Sequence, residues 1–137
     1  MPLIPEPVKT WSPSDCSVIV NGYRLSGFVD GSFVTVERMS DRATMKEGVD
    51  GVVTRSLNPS KASTITIRLQ QRSMSNSVLA ALERAGTVFP FLFMDTVNGE
   101  RIAAGQAWIS KVPSLDFAKE SGDREWTLQT SGADWSP

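Results

Sequence analysis

The sequence predicts a mainly β fold, a β-sandwich or flattened barrel of about eight short strands with one short helix near residues 76–85. Three observations predict it. Short runs alternate apolar and polar residues, most cleanly from Ser63 to Gln71. Turn signals such as Asn21-Gly22, Asn58-Pro59-Ser60 and Asn98-Gly99 recur along the chain. A single stretch, Val78, Leu79, Leu82 and Ala85, combines helical spacing with a following Gly86 suited to a helix end.

Taken in order, residues 1–10 form an extended arm, because Pro2, Pro5 and Pro7 preclude a helix. Residues 11–130 form one domain that opens on the anchor Trp11, and residues 131–137 form a tail carrying Trp135. Cys16 to Val20 reads as a strand, turned by Asn21-Gly22 into a return strand at Tyr23. Phe33 to Arg38 is a further strand with Val34 and Val36 on one face. Residues 40–51 form a loop long for a hairpin connection, mixing Asp41, Arg42, Lys46, Glu47 and Asp50 with Met45 and Val49.

The stretch from Val49 to Gly86 reads as a loop, a strand, a tight turn at Asn58-Pro59-Ser60, a second strand and the helix, the two strands forming a pair. In the second strand Ile65, Ile67 and Leu69 point one way, and Thr64, Thr66, Arg68 and Gln70 the other. Ser75 or Asn76 caps the helix. Thr87 to Asp95 is strongly apolar, with Phe89, Phe91 and Phe93 on one face and Leu92 and Met94 on the other. Pro90 pushes this strand toward an edge or an irregular start. Ile102 to Lys111, a short strand at Leu115 and Phe117, and Glu125 to Thr130 complete the count, with Trp108, Trp126 and Leu128 inward.

Composition narrows the function. Fourteen basic and fifteen acidic residues give a net charge of −1, which argues against a basic nucleic-acid reader. There is no histidine, so Ser-His-Asp and Cys-His arrangements are impossible. The lone Cys16 forms neither an internal disulfide nor a cysteine zinc site and reads as a buried small residue. Asp30, Asp41, Asp50, Asp95, Asp116 and Glu125 sit mostly in turns, where capping and solvation account for them better than a catalytic carboxylate pair. Gly48-x-Asp50-Gly51 lacks the Lys-Ser/Thr of a phosphate loop, and Asp95-x-x-Asn98-Gly99 lacks EF-hand spacing. No cofactor and no enzymatic activity are expected. No apolar run reaches the ~18 residues of a membrane span, and the N-terminal residues lack a secretory-signal pattern.

Several stretches carry a family resemblance. They are Gly48-x-Asp50-Gly51, the Thr/Ile alternation, Ser73-x-Ser75-Asn76-x-x-Leu79, Asp95-x-x-Asn98-Gly99, Ala107-Trp108-Ile109-x-Lys111-x-Pro113 and Arg124-Glu125-Trp126. In order and spacing, from Trp11 to Trp126, they resemble the small tail tube proteins of contractile-tailed bacteriophages. The resemblance implies a virion structural protein, made and assembled in the host cytoplasm. It implies usually hexameric rings of this chain, stacked into a hollow tube. The implied partners are other copies, a sheath protein, a tape measure protein, and baseplate and tail terminator proteins. DNA passes through without sequence-specific binding.

On this resemblance the expected ring-stacking residues are Trp11, Asp41, Arg42, Met45, Lys46, Glu47 and Val49, since the long loop of tail tubes reaches the neighbouring ring. The expected lateral residues are Phe89, Phe91, Leu92 and Met94. Thr64, Thr66, Arg68 and Gln70 are expected to face a water-filled lumen, neutral or acidic on balance. Two alternatives are a pyocin-type or type VI secretion tube, and a monomeric β-sandwich module binding carbohydrate or peptide through an aromatic patch.

Overall fold

In the computed structural model, which describes residues 5–137, the alternating runs become strands of one large sheet. The predicted arm falls partly outside the described residues. Its described part, residues 5–10, is exposed and has no regular secondary structure. The strands are β1 (Cys16–Val20), β2 (Tyr23–Arg24), β3 (Val34–Arg38), β4 (Ala43–Glu47), β5 (Val53–Leu57), β6 (Ser63–Gln70), β7 (Phe89–Asp95), β8 (Arg101–Lys111), β9 (Asp123–Thr130) and β10 (Ala133–Ser136), with helix α1 (Ser75–Ala85) between β6 and β7. The main sheet has the order β2-β1-β7-β8-β9-β6-β3, and β10 adds beside β8.

Period-two alternation sets which face each residue takes. Val18 and Val20, Phe91 and Phe93, Ala104 and Ala107, Trp126 and Leu128, and Ile65, Ile67 and Leu69 all turn inward and are buried. Leu79 of α1 joins them, so the helix lies against the inner face. The chain after β2 then carries the sheet round to β6. Leu25 N–H donates to Val18 O (2.8 Å), and Gln70 N–H donates to Gly27 O (2.8 Å). A bridge from Phe28 to Leu69 completes this closure. The result is the expected flattened barrel.

Several local expectations hold for physical reasons. Asn21 (φ 51°) and Gly22 (φ 80°) occupy the left-handed region that the two-residue hairpin between β1 and β2 demands. Gly86 (φ 63°) ends α1. The cap at the other end differs from the expectation. Met74 is the N-cap residue and has no side-chain bond. Ser73 Oγ instead accepts from Ser75 N–H (3.2 Å), and Ser75 Oγ accepts from Ser26 N–H (2.9 Å). Ser75 thus fastens the helix start to the closing segment.

Four readings are corrected. Residues 40–51 are not an open loop: Ala43–Glu47 and Val53–Leu57 pair with each other as a separate two-stranded sheet. Hence β5 does not pair with β6, whose neighbours are β3 and β9. The residues of β4 and β5 are all exposed, so no inward-facing apolar set holds β5 to the main sheet. Leu115 and Phe117 lie in an irregular segment, residues 112–122, and both are exposed, so no buried face holds their alternation to a sheet. The tail contributes β10, where Trp135 pairs with Ile102 and its Nε1 donates to Glu100 Oε2 (3.0 Å).

The apolar strand β7 is central, between β1 and β8, and not at an edge. Pro90 is accommodated by an irregularity: Phe89 faces Ala107 while Phe91 faces Ala104, so two steps on β7 match three on β8. That extra residue flips the alternation of β8. Both Ala104 and Ala107 are buried, and Trp108 turns to the Gln129 side of the sheet, half-buried and outside the core.

Candidate assembly surfaces

The polar face of β6 sits between β3 and β9 in regular register. Thr35, Thr66 and Thr127 form one row across the three strands, and Glu37, Thr64 and Gln129 another. Arg68 is held across this face. Its Nε lies 3.5 Å from Glu125 Oε2, and its Nη1 donates to Thr35 Oγ1 (3.1 Å) and Ser32 O (3.3 Å). Gln70 Nε2 donates to Phe28 O (2.9 Å). Thr64, Thr66, Arg68 and Gln70 therefore share one continuous hydroxyl-rich wall. The charged groups of that wall are Glu37, Asp123 and Glu125 against Arg68 and Lys111. β3 ends the strand order and leaves its far edge without a partner among the described residues.

The β4–β5 hairpin leaves the main sheet at the β3 end and returns at the start of β6, where Met39 N–H donates to Ala62 O (3.0 Å). Asp41, Arg42, Met45, Lys46, Glu47 and Val49 are all exposed along it, Met45 at 69%. Asp50 Oδ1 accepts from Val52 N–H (3.2 Å) and Gly51 takes φ 84°, which makes Gly48-x-Asp50-Gly51 the hairpin turn. The hairpin thus exposes apolar side chains such as Met45 and Val49 among its charges, with no cover from the rest of the described residues.

Trp11 is also exposed and lies at the same end of the sheet. Asn98 Nδ2 donates to Thr10 O (3.1 Å), and Thr96 Oγ1 to Asp15 O (2.9 Å), so the turn after β7 holds the chain around Trp11. That turn is built on Asp95, only 1% exposed. Its carboxylate accepts from Asn98 Nδ2 (3.0 Å) and from the Val97 and Asn98 N–H groups (3.0 and 3.2 Å). The Asn98 amide and then its N–H hold the carboxyl below the usual range, against the opposing effect of burial. Cys16 lies nearby, and burial, followed by the charge of Asp95, pushes its thiol up. At the hairpin base Lys61 Nζ lies 2.7 Å from Asp134 Oδ1, an exposed pair that lowers the Asp134 pKa and ties β10 to the start of β6.

The lateral residues divide. Phe89 and Phe91 are each 1% exposed, so they are core and do not reach a neighbour. Parity explains this, since they share the inward side with Phe93. Leu92 and Met94 are on the other face, half-buried, with Leu92 directly between Ile19 and Ala103.

Sequence reasoning missed a groove between α1 and residues 112–117, lined by Ser77, Ala80, Arg84, Leu115, Arg124 and Trp126. Arg124 is 5% exposed. The strand read from the sequence begins at Glu125, whereas β9 begins at Asp123, so the parity of Arg124 with Trp126 and Leu128 is a signal left unused. The irregular segment that roofs it carried no sequence signal.

A β-barrel whose β3 edge has no partner among the described residues, with a polar wall and a projecting hairpin, has the features of a structural subunit rather than of an enzyme site. Comparison with known proteins gives the family. The chain belongs to the bacteriophage PhiTE tail tube protein family, whose model matches residues 15–135. It is 28% identical over 133 residues to structural protein ORF10 of Pseudomonas phage KPP10, covering 88% of this chain and 77% of that protein. In fold it is similar to the sheath/tube terminator of the extracellular contractile injection system PVC (TM-score 0.64, 12% identity, 98% of this chain and 100% of that one). It is also similar to a chain of the sheath–tube complex of that system (TM-score 0.59, 13% identity, 93% and 99%). The chain is thus a phage tail tube protein, a structural component of the virion.

Proposed function

We propose that this chain forms rings, hexameric by family analogy, that stack into the inner tube of a phage tail. The observation that carries the reading is the two-faced β3–β6–β9 sheet. Its inner face is core, its outer face is a wall of Thr, Gln and charges of both signs, and its β3 edge has no partner among the described residues. Side-by-side pairing of copies would cover that edge and join the walls around a channel. Thr64, Thr66, Arg68 and Gln70 face the channel in this reading. Three acids against two bases leave the wall weakly acidic, so DNA meets no attractive surface that would slow its passage. The channel holds the tape measure protein before DNA moves.

The β4–β5 hairpin and the segment at Trp11 stack ring on ring. Leu92 and Met94, with Ile19, provide a half-buried apolar strip for a lateral or sheath contact. Terminator and baseplate proteins close the two ends. The role is assembly and conduction without turnover. Similarity to a phage structural protein favours a phage tail over the tube of a phage-derived secretion machine.

A Thr66→Cys variant tests the wall. In assembled tubes a bulky polymer maleimide should fail to label it while a small maleimide succeeds, and dissociated subunits should accept both. Equal labelling by the bulky reagent in intact tubes would overturn the assignment.

A further inference from the structure

We infer that the groove between α1 and residues 112–117 is the socket for the hairpin turn Glu47–Gly51 of the next copy along the tube, an inference that rests on the tube reading above. The first observation is Arg124. It is 5% exposed, and its guanidinium donates only to carbonyls, Asp123 O (3.0 Å) and Asp116 O (3.4 Å), and faces the Phe117 ring at 5.3 Å. No carboxylate of the described residues lies within ion-pair distance of it. A guanidinium has five N–H donors, so most of its capacity is unspent. A buried charge without a counter-ion is costly, and an incoming carboxylate would relieve that cost.

The second observation is the shape and lining of the groove. It has a volume of about 430 Å³ and is mainly apolar, with Ala80, Leu115 and Trp126 on its walls. Arg84, on the last turn of α1, stands at its rim as a second cation, and its neighbour Glu83 is the acid beside it. The net sign is positive. The socket therefore asks for a short apolar group flanked by acid.

The hairpin turn has that chemistry. Glu47-Gly48-Val49-Asp50-Gly51 carries two acids, no base and one fully exposed apolar side chain, Val49. Position supplies the remaining argument. The hairpin springs from the Ser63 end of β6, while the groove begins at Gln71, just past its other end. Eight residues of strand separate them by about 25 Å. A projection at one end and a complementary hollow at the other make a heterologous contact. Repeated along one direction, it generates an open filament of stacked rings.

The test uses the full chain carrying Val49→Cys and Ser77→Cys. Both positions are exposed, while Cys16 is buried with a raised pKa and stays unreactive. A short bis-maleimide added to tubes should give a ladder of covalent oligomers that extends with tube length. In parallel, Arg84→Glu should raise the concentration needed for tube formation about tenfold, and adding Asp50→Arg to it should restore most of that loss. Wild-type and double-cysteine chains that both form tubes normally, with no ladder from the double-cysteine tubes and no charge-reversal effect, would overturn the socket and leave the tube reading intact. Failure of the wild-type chain to form tubes, even on a tail template, would remove the socket together with the tube reading.

Discussion

Trp126 Nε1 donates to Asn76 Oδ1 at 2.9 Å, joining the inner face of the sheet to the first turn of the helix. Asn76 Nδ2 in turn donates to Gln70 O (2.9 Å) and Gln71 O (3.3 Å), where β6 ends. One amide therefore fixes three elements around the groove.

Asn76→Ala should remove all three bonds and strand a part-buried indole N–H. A loss of about 1–3 kcal/mol is expected, read as a lower urea midpoint at unchanged slope. An unchanged midpoint would show that water replaces the amide without cost.

Phe91 and Leu92 are adjacent but face opposite ways. Phe91→Ala should cost about 3–5 kcal/mol in the monomer, because it opens a cavity in the core. Leu92→Ala should cost roughly 1 kcal/mol, since its side chain is only half-buried. Equal losses would mean that β7 is buried on both faces within one copy.

Asp95 sets an acid dependence. Its pKa is lower in the folded chain than in the unfolded one, so it stabilises the fold at neutral pH. That contribution is complete above the ordinary carboxylate range and is lost as pH falls through the folded value. Asp95→Asn should therefore be less stable at pH 7 and lose less stability on acidification, as followed by thermal melts from pH 7 to pH 3. A parallel fall in both proteins would contradict this.

Replacing residues 43–57 with a short Gly linker should leave the barrel folded, with a stability change within about 1 kcal/mol, because the hairpin forms its own sheet. Tube formation should be lost. Circular dichroism melts and light scattering of the same sample separate the two effects.

The barrel was legible in the sequence where one face is buried. In β6 and β9, alternation names the inward residues without ambiguity. Legibility fails where burial does not discipline the pattern. Ala43 to Glu47 and Val53 to Leu57 are exposed on every residue, so nothing periodic marks them as paired strands. In β7 the apolar run is continuous, and parity alone separates the core residue Phe91 from the half-buried Leu92. The stagger at Pro90 shifts Trp108 out of the core; Pro90 signals an irregular strand start, but nothing local says that the alternation of β8 flips opposite it. Arg124 shares the parity of Trp126 only once β9 is extended back to Asp123, and its lack of a carboxylate partner among the described residues is a fact of three dimensions.

The most direct test of the tube account is electron microscopy of the purified chain at high concentration, alone and on a baseplate or tape-measure complex, with its solution mass measured in parallel. Rings or tubes with an open channel are the predicted result. A protein that remains monomeric under both conditions would contradict the account and favour a β-sandwich binding module.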